Sequence, residues 1–356
     1  MHKGFEVGPL IQEREDAMDP EFLKTITFVE TAETSESDFH PKTFDEYCGQ
    51  KELKTKLKLY TDASRMRNEP LDHLLLFGPP GLGKTTLAQI MAQVMDVGIK
   101  ICSGPTLERA GDVVAILSSL ESKDILFIDE IHRIPSTVEE MLYNAMEHYR
   151  VDVIIGQGAG AKSVNLPINP FTLVGATTKA GMISAPLRSR FGITERLDFY
   201  LEDELCEIIE QNARFLQVVL EKGAAMLIAR CARGTPRIAK KLFRRIRDFA
   251  QVNNNNQATI ELVQQALDFL GIDEEGLNAV DRKIIETIAI TFNGGPVGLE
   301  TIASMIGEDS ETIEDVYEPF LMRKGYLEKT PRGRQIPRAM LPRFLKSAGG
   351  QKTLFS

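Results

Sequence analysis

Gly78-Pro79-Pro80-Gly81-Leu82-Gly83-Lys84-Thr85 spells a phosphate-binding loop, and its flanks decide the fold. Ahead of it, His73-Leu74-Leu75-Leu76-Phe77 is a short apolar run of the kind that forms a buried strand. Behind it, Leu87, Ile90, Met91, Val94 and Met95 recur at helical spacing. Strand, glycine-rich turn and helix are the order the motif requires. Gly78, Gly81 and Gly83 let the backbone curl until successive N–H groups face one anion at the helix N-terminus. Lys84 then reaches the β- and γ-phosphates of a nucleoside triphosphate, and the Thr85 hydroxyl is a ligand for Mg²⁺. By average residue usage the bare pattern recurs in roughly one chain in a hundred of this length, so the flanks carry the weight.

Ile125-Leu126-Phe127-Ile128-Asp129-Glu130 is a second apolar run, and it closes on two carboxylates. A strand buried on both faces of a parallel sheet has this pattern. Its C-terminal end lies where the crevice of an open α/β sheet forms. Asp129 is expected as the outer-shell partner of Mg²⁺, and Glu130 as the group that polarises the attacking water. Hydrolysis is therefore expected, and not binding alone. A third run, Phe171 to Ala176, ends in Thr177-Thr178, where a hydroxyl at a strand tip meets the γ-phosphate or the water. Threonine is common in strands, so this reading leans on its place after the other two motifs.

At 356 residues, 26% charged and 43% hydrophobic, the chain has the composition of an ordinary globular protein with two or three cores. No apolar run reaches membrane-spanning length and no signal peptide is evident, so the cytoplasm is expected and a membrane is not. Cys48, Cys102, Cys206 and Cys231 form no C-x-x-C pair, which argues against structural zinc and fits a reducing compartment.

A net charge of −9 argues at first against nucleic acid. The distribution reverses that. From Arg323 to Lys346, Arg323, Lys324, Lys329, Arg332, Arg334, Arg338, Arg343 and Lys346 face Glu328 alone, a local net charge of +7. A basic patch on an acidic protein is still an electrostatic footprint.

Residues 1–38 read as a flexible lead-in; Ala17-Met18-Asp19-Pro20-Glu21-Phe22 is what adjoining restriction sites encode, so 1–22 are set aside. Strand and helix patterns alternate to about residue 200, which predicts an α/β parallel-sheet ATPase domain over 39–200. A helical small domain is expected over 201–272, with Leu205, Ile208, Ile209 and Leu216 on one face. Helical segments at 282–291, 299–305 and 312–322, then strands at 325–330 and 333–336, have the plan of a winged helix, placed at 273–346 with a flexible tail at 347–356. Val151 to Ile155 and Lys162 to Leu166 flank a glycine-rich tip and read as a β-hairpin.

Gly78–Thr86, Asp129-Glu130-Ile131-His132-Arg133, Gly175-Ala176-Thr177-Thr178, Gly234-Thr235-Pro236-Arg237, Gly295-Pro296-Val297-Gly298-Leu299, Thr312-Ile313-Glu314-Asp315 and Thr330-Pro331-Arg332-Gly333-Arg334 follow in that order. Together they resemble the RuvB family of bacterial Holliday-junction branch-migration motors, from about Phe39 to Arg338. The resemblance implies an AAA+ ATPase domain, a helical lid and a winged helix, acting as a homohexamer on double-stranded DNA with ATP and Mg²⁺. It implies a junction-recognising partner, RuvA, docked on the 151–166 hairpin through Ile154, Ile155 and Val164, and the nuclease RuvC in a larger complex.

The same resemblance assigns Gly81, Gly83, Lys84, Thr85 and Thr86 to the phosphates and Thr85 and Asp129 to the metal. Glu130 and Thr178, the first sensor, serve the reaction with Lys84 and Asp129. Arg190 matches the arginine finger that a neighbouring subunit inserts, and Arg237 the second sensor. Tyr200 and Pro236 match positions lining the adenine, and Glu147, His148 and Tyr149 a segment bordering the nucleotide. Phe39 and His40 fall at nucleotide-holding positions, with His40 where the family has arginine. Asn144 replaces a usual proline, His148 an aspartate and Lys179 an arginine. Lys329, Arg332 and Arg334, in the wing, are expected to contact DNA phosphates without reading sequence. The competing reading is a clamp-loader-like or protein-remodelling AAA+ ATPase, which the basic winged helix disfavours.

Overall fold

The computed structural model describes residues 39–155 and 162–349; the expectations for 1–38, for the hairpin tip 156–161 and for 350–356 lie outside the described residues. The chain divides into two compact units, one running to Gln217 and including Gly234–Lys240, the other comprising Val218–Arg233 and everything from Lys241.

The first unit begins with α1 (Lys51–Arg67) and then the expected β1 (Leu74–Phe77) and α2 (Lys84–Met95). β2 (Ile99–Ser103), α3 (Ala110–Ser118), β3 (Ile125–Asp129) and α4 (Ser136–His148) follow. After the antiparallel hairpin β4 (Arg150–Ile155) and β5 (Lys162–Pro167) come β6 (Thr172–Thr177), the short α5 (Ala185–Arg188), β7 (Ile193–Arg196) and α6 (Glu202–Phe215). Five strands form one sheet in the order β2-β3-β6-β1-β7, and each pairing is parallel. β1, β3 and β6 are thus the three inner strands. Leu74, Leu75 and Leu76, Ile125 to Ile128, and Leu173 and Val174 are all at most 1% exposed, which is why each reads as an unbroken apolar run. Each such side chain contributes roughly 1.5–3 kcal/mol of burial.

Polar ties set the register of this core. His73, just before β1, accepts the Leu173 N–H on Nδ1 at 2.9 Å and donates from Nε2 to the Met146 carbonyl at 3.1 Å. Burial holds its pKa below the usual imidazole value, in keeping with a neutral ring. Gly175, mid-β6, has no room for a side chain: a Cβ there would lie 2.9 Å from the Ile131 side chain and 3.0 Å from Phe191.

In the second unit a two-residue parallel pair, β8 (Val219–Leu220) and β9 (Gln257–Ala258), accompanies α7 (Ala224–Cys231), α8 (Pro236–Asn253, its first turn in the first unit) and α9 (Ile260–Phe269). That pair departs from the all-helical expectation for this stretch. Then come α10 (Ala279–Glu286), α11 (Leu299–Ile306), α12 (Ser310–Thr312), α13 (Glu318–Arg323), the antiparallel β10 (Glu328–Thr330) and β11 (Gly333–Gln335), and α14 (Leu341–Gly349). Ile284, Ile288, Ile302, Ile313 and Leu321 are fully buried at the centre of this winged-helix core. Asn278 caps α10 by accepting the N–H groups of Val280 and Asp281. The fully buried Asp281 pairs with Arg233, whose guanidinium also stacks 4.7 Å from the Phe320 ring centroid.

Candidate functional site

The phosphate loop leaves β1 with positive φ at Gly78, Gly81 and Gly83, and α2 starts at Lys84. All three glycines are also required by crowding, Gly78 most of all, where a Cβ would lie 2.4 Å from the Leu197 carbonyl oxygen. A Cβ on Gly83 would sit 2.7 Å from the Tyr47 hydroxyl, and one on Gly81 2.9 Å from Cβ of Arg237. The loop is fixed at its root by the Gly78 N–H, which donates to the Thr177 carbonyl at 3.1 Å. Lys84 is 8% exposed, and its ammonium donates to the carbonyls of Gly78 at 2.8 Å and Pro79 at 3.0 Å. Burial lowers its pKa to about 8, the Coulombic influence of Asp129 opposes that, and Arg237 reinforces it. A buried cation held only by carbonyl dipoles is a group set up to receive an anion.

Asp129 ends β3, and its carboxylate accepts the N–H of Glu130 at 2.9 Å. Glu130 adopts a left-handed conformation (φ 48°, ψ 42°), and its carboxylate pairs with Arg133 at 3.1 Å. Thr178 lies exposed just past the end of β6. Lys84, Asp129, Glu130 and Thr178 thus stand at the C-terminal ends of the three inner strands, where the sequence placed them. Thr85 and Thr86 occupy the first turn of α2.

Beside the loop lies a pocket lined by Phe39, Pro41, Tyr47, Cys48, Gly83, Thr86, Tyr200, Ile208, Asn212, Pro236 and Lys240 among others. Phe39, Tyr200 and Pro236 are among the expected nucleotide-holding residues, and Gly83 and Thr86 come from the set assigned to the phosphates. Tyr47, Asn212 and Lys240 were not, and they organise it. The Tyr200 hydroxyl donates to that of Tyr47 at 2.7 Å, and Tyr47 in turn donates to the Leu82 carbonyl at 3.3 Å. Asn212 accepts the Phe39 N–H at 3.0 Å, and Lys240 donates to the Phe39 carbonyl at 2.6 Å. The Tyr200 N–H donates to the Gly234 carbonyl, and the Arg237 N–H to that of Gly81 at 3.3 Å, so the Gly234-Thr235-Pro236-Arg237 turn is seated on the loop. His40, between the lining residues Phe39 and Pro41, is exposed and is not itself among the residues lining the pocket. Gln50, also unforeseen, bonds both the N–H and the carbonyl of Asp198, with distances of 3.3 and 2.5 Å.

Arg190, Glu147, His148 and Tyr149 form a separate constellation. Arg190 Nε lies 3.2 Å from Glu147, its Nη1 donates to the Pro186 carbonyl at 2.8 Å, and its guanidinium stacks 4.3 Å from the Tyr143 ring centroid. His148 lies 3.9 Å from Glu147. Tyr149 closes α4 and packs edge-on against Phe171, while Asn144 reaches Asp152 on the hairpin at 3.4 Å. None of these is hydrogen-bonded to the phosphate loop of its own chain among the described residues.

In the hairpin, Ile154 and Ile155 pair through the backbone with Ser163 and Lys162; their side chains lie outside what is described. Val164 is 43% exposed.

The wing requires a correction. Arg332 is exposed, as expected. Lys329 is half exposed but pairs with Glu314 at 2.5 Å. Arg334 is buried, at 8% exposure, with Nε 2.5 Å and Nη2 3.2 Å from the two oxygens of Glu318, and Nη2 3.3 Å from Glu314. Its backbone also exchanges hydrogen bonds with Val297 at 2.7 and 2.8 Å. Arg334 is therefore placed as a strut of the wing and does not present its charge to solvent. The reason is acidic partners 16 and 20 residues upstream, which a local count of basic residues does not register.

Three family models match the chain in succession: the Holliday junction DNA helicase RuvB P-loop domain over residues 39–197, the RuvB AAA lid domain over 200–273 and the RuvB C-terminal winged helix domain over 274–341. Among solved structures, the Thermotoga maritima RuvB Holliday junction branch migration motor is 48% identical, with 86% of this chain and 98% of that one covered and a TM-score of 0.76. A proline-to-glycine mutant of the same Thermotoga maritima protein is 47% identical over 86% and 99%, with a TM-score of 0.78.

Proposed function

The chain belongs to the RuvB family of ATP-dependent Holliday-junction branch-migration motors, and we propose that it works as a homohexameric ring that drives double-stranded DNA through itself. In this reading residues 39–200, 201–272 and 273–346 are the ATPase domain, the lid and the DNA-binding domain. RuvA delivers the ring to the junction through Ile154, Ile155 and Val164 of the hairpin, RuvC joins a larger complex, and the process serves homologous recombination and repair in the cytoplasm. Among the described residues no helix is long and apolar enough to cross a membrane.

The observation that carries the reading is the convergence of Lys84, Asp129, Glu130 and Thr178 at the C-terminal ends of the inner strands of one sheet, beside a pocket lined by Phe39, Tyr200 and Pro236. The loop N–H groups and Lys84 bind the triphosphate, with Phe39, Tyr200 and Pro236 against the adenine. Thr85 and Asp129, a hydroxyl and a carboxylate, are the hard oxygen donors that suit Mg²⁺, which when bound neutralises phosphate charge. Glu130 accepts a proton from the attacking water, and Thr178 orients it against the γ-phosphate. Arg190 stabilises the developing charge in a neighbouring subunit's site, so that hydrolysis depends on assembly, a contribution on the order of 10³-fold or more. Glu147, His148 and Tyr149 lie with Arg190 on that donor side, and Arg237 reports nucleotide state to the lid. Lys329 and Arg332 hold phosphates without reading bases.

The test is branch migration of a synthetic four-way junction, with ATP and the junction-recognising partner. The wild type moves the branch and Lys84→Ala does not. Undiminished migration by Lys84→Ala, or hydrolysis stimulated by a protein substrate and not by junction DNA, overturns the reading.

A further inference from the structure

β3 and β6 are paired only as far as Ile128↔Gly175. The residues assigned to chemistry come just after, where the ladder has stopped: Asp129 and Glu130 on one side, Thr177 and Thr178 on the other. One side-chain hydrogen bond bridges the two tips among the described residues, between Thr177 Oγ1 and His132 Nδ1 at 2.9 Å.

Thr177 is fully buried, so its hydroxyl must be satisfied internally. The oxygen accepts the Lys179 N–H at 3.0 Å, which fixes the turn containing Thr178. The hydroxyl hydrogen has His132 Nδ1 as its acceptor within reach, so Thr177 donates and the imidazole accepts. The Thr177 carbonyl meanwhile takes the first N–H of the phosphate loop, at 3.1 Å from Gly78. A single residue is thereby tied to the loop, to the Thr178 turn and to the turn that carries Glu130.

The Glu130 side needs such a tie. A non-glycine residue at φ 48° is strained, and its neighbours must impose that conformation. On one side Gly104 presses against it so closely that a Cβ there would lie 2.4 Å from the Glu130 carbonyl. On the other, the short helical turn Ile131–Arg133 is anchored through His132 to β6.

We propose that His132 and Thr177 form a clip that fixes the water-polarising Glu130 relative to Thr178, which makes both of them positioning residues for ATP hydrolysis. The clip rests on the roles given above to Glu130 and Thr178. Among the described residues neither side chain is hydrogen-bonded to the phosphate loop, so the clip acts on turnover and not on nucleotide affinity.

Steady-state hydrolysis and binding of a fluorescent ATP analogue test this on His132→Ala, Thr177→Val, their double variant, and the conservative His132→Asn and Thr177→Ser. Each disruptive single change is expected to lower kcat about 10- to 100-fold, the cost of a misplacement near 1 Å, with KM and analogue affinity within about two-fold. The double variant is expected to be no worse than Thr177→Val alone, because the bond that His132→Ala removes is one of the two that Thr177→Val already removes. His132→Asn and Thr177→Ser, which keep an acceptor and a donor, return kcat toward wild type. Losses that multiply in the double variant, or kcat unchanged while the melting temperature falls, overturn the clip. Glu130→Gln or Thr178→Val with full hydrolysis would instead remove the premise, the assigned roles themselves, whatever the clip variants do.

Discussion

Lys84 in the phosphate loop and Arg334 in the wing are both cations under 10% exposed, and the structure solves the cost of burying them in opposite ways. Lys84 has carbonyl oxygens for company and no carboxylate within ion-pairing distance among the described residues. Burial pulls its pKa down to about 8, and the Coulombic influence of Asp129 only partly opposes it. Arg334 is held by Glu318 and Glu314. A buried cation without an acid is incomplete and calls for an external anion; one with its acids in place is already complete and serves the fold. Ligand binding and architecture are thus distinguishable from the partners of a charge, though both residues look alike as basic letters in a motif.

The sharpest break between the two would come from deleting the wing charge. Arg334→Ala leaves Glu318, which is only 2% exposed, as a buried uncompensated carboxylate, and is expected to cost the winged-helix domain about 3–5 kcal/mol. Arg334→Met with Glu318→Leu removes both charges and is expected to recover most of that loss. Thermal unfolding followed by circular dichroism measures both. If Arg334→Ala leaves the transition where it was, the strut assignment is wrong.

How far each region could be read beforehand follows from the same physics. β1, β3 and β6 are buried on both faces and announce themselves as apolar runs, and the loop glycines mark the one turn a phosphate needs. β2 and β7 escaped because they are edge strands: Ile99-Lys100-Ile101-Cys102-Ser103 is mostly half-buried, and Ile193-Thr194-Glu195-Arg196 keeps one buried position. The β8–β9 pair is two residues long and offers no period to detect. In the site, Lys84, Asp129 and Glu130 are legible because each closes or opens a recognisable run. Tyr47 and Asn212 are not, since their bonds reach 35 and 173 residues along the chain. Arg334 misled for the converse reason: its partners lie upstream in a helical segment that shows no sign of serving the wing.

A gentler way to sharpen the contrast is to titrate Lys84. Its folded pKa, about 8, lies below the unfolded value of 10.5, so between those values the unfolded chain binds more protons than the folded one. Stability of the nucleotide-free protein from this group therefore rises with pH from about 8 to 10.5, by on the order of 3 kcal/mol, and a Lys84→Met variant lacks that rise. ATP affinity moves the other way, falling as the ammonium deprotonates. Urea unfolding and analogue binding over pH 7–10 read the two trends. If both moved in the same direction, the lysine's incomplete pairing would not be what prepares the loop for phosphate.

The mildest test asks which wing cations DNA actually engages. Each phosphate neutralised contributes about −0.9 to the slope of log affinity against log salt concentration. Arg332, exposed, should contribute one such unit, and Arg332→Ala should flatten the slope by about that amount on any sequence. Lys329 must leave Glu314 before it can bind a phosphate, so part of its gain offsets the lost pair, and Lys329→Ala should weaken binding less than Arg332→Ala. Glu314→Gln should correspondingly strengthen binding by releasing Lys329. Arg334→Met paired with Glu318→Leu, with the wing refolded, should leave the slope unchanged. A loss of about one unit in that double variant would mean that DNA draws Arg334 out of its acids, and the two buried cations would then differ only in which anion reaches them first.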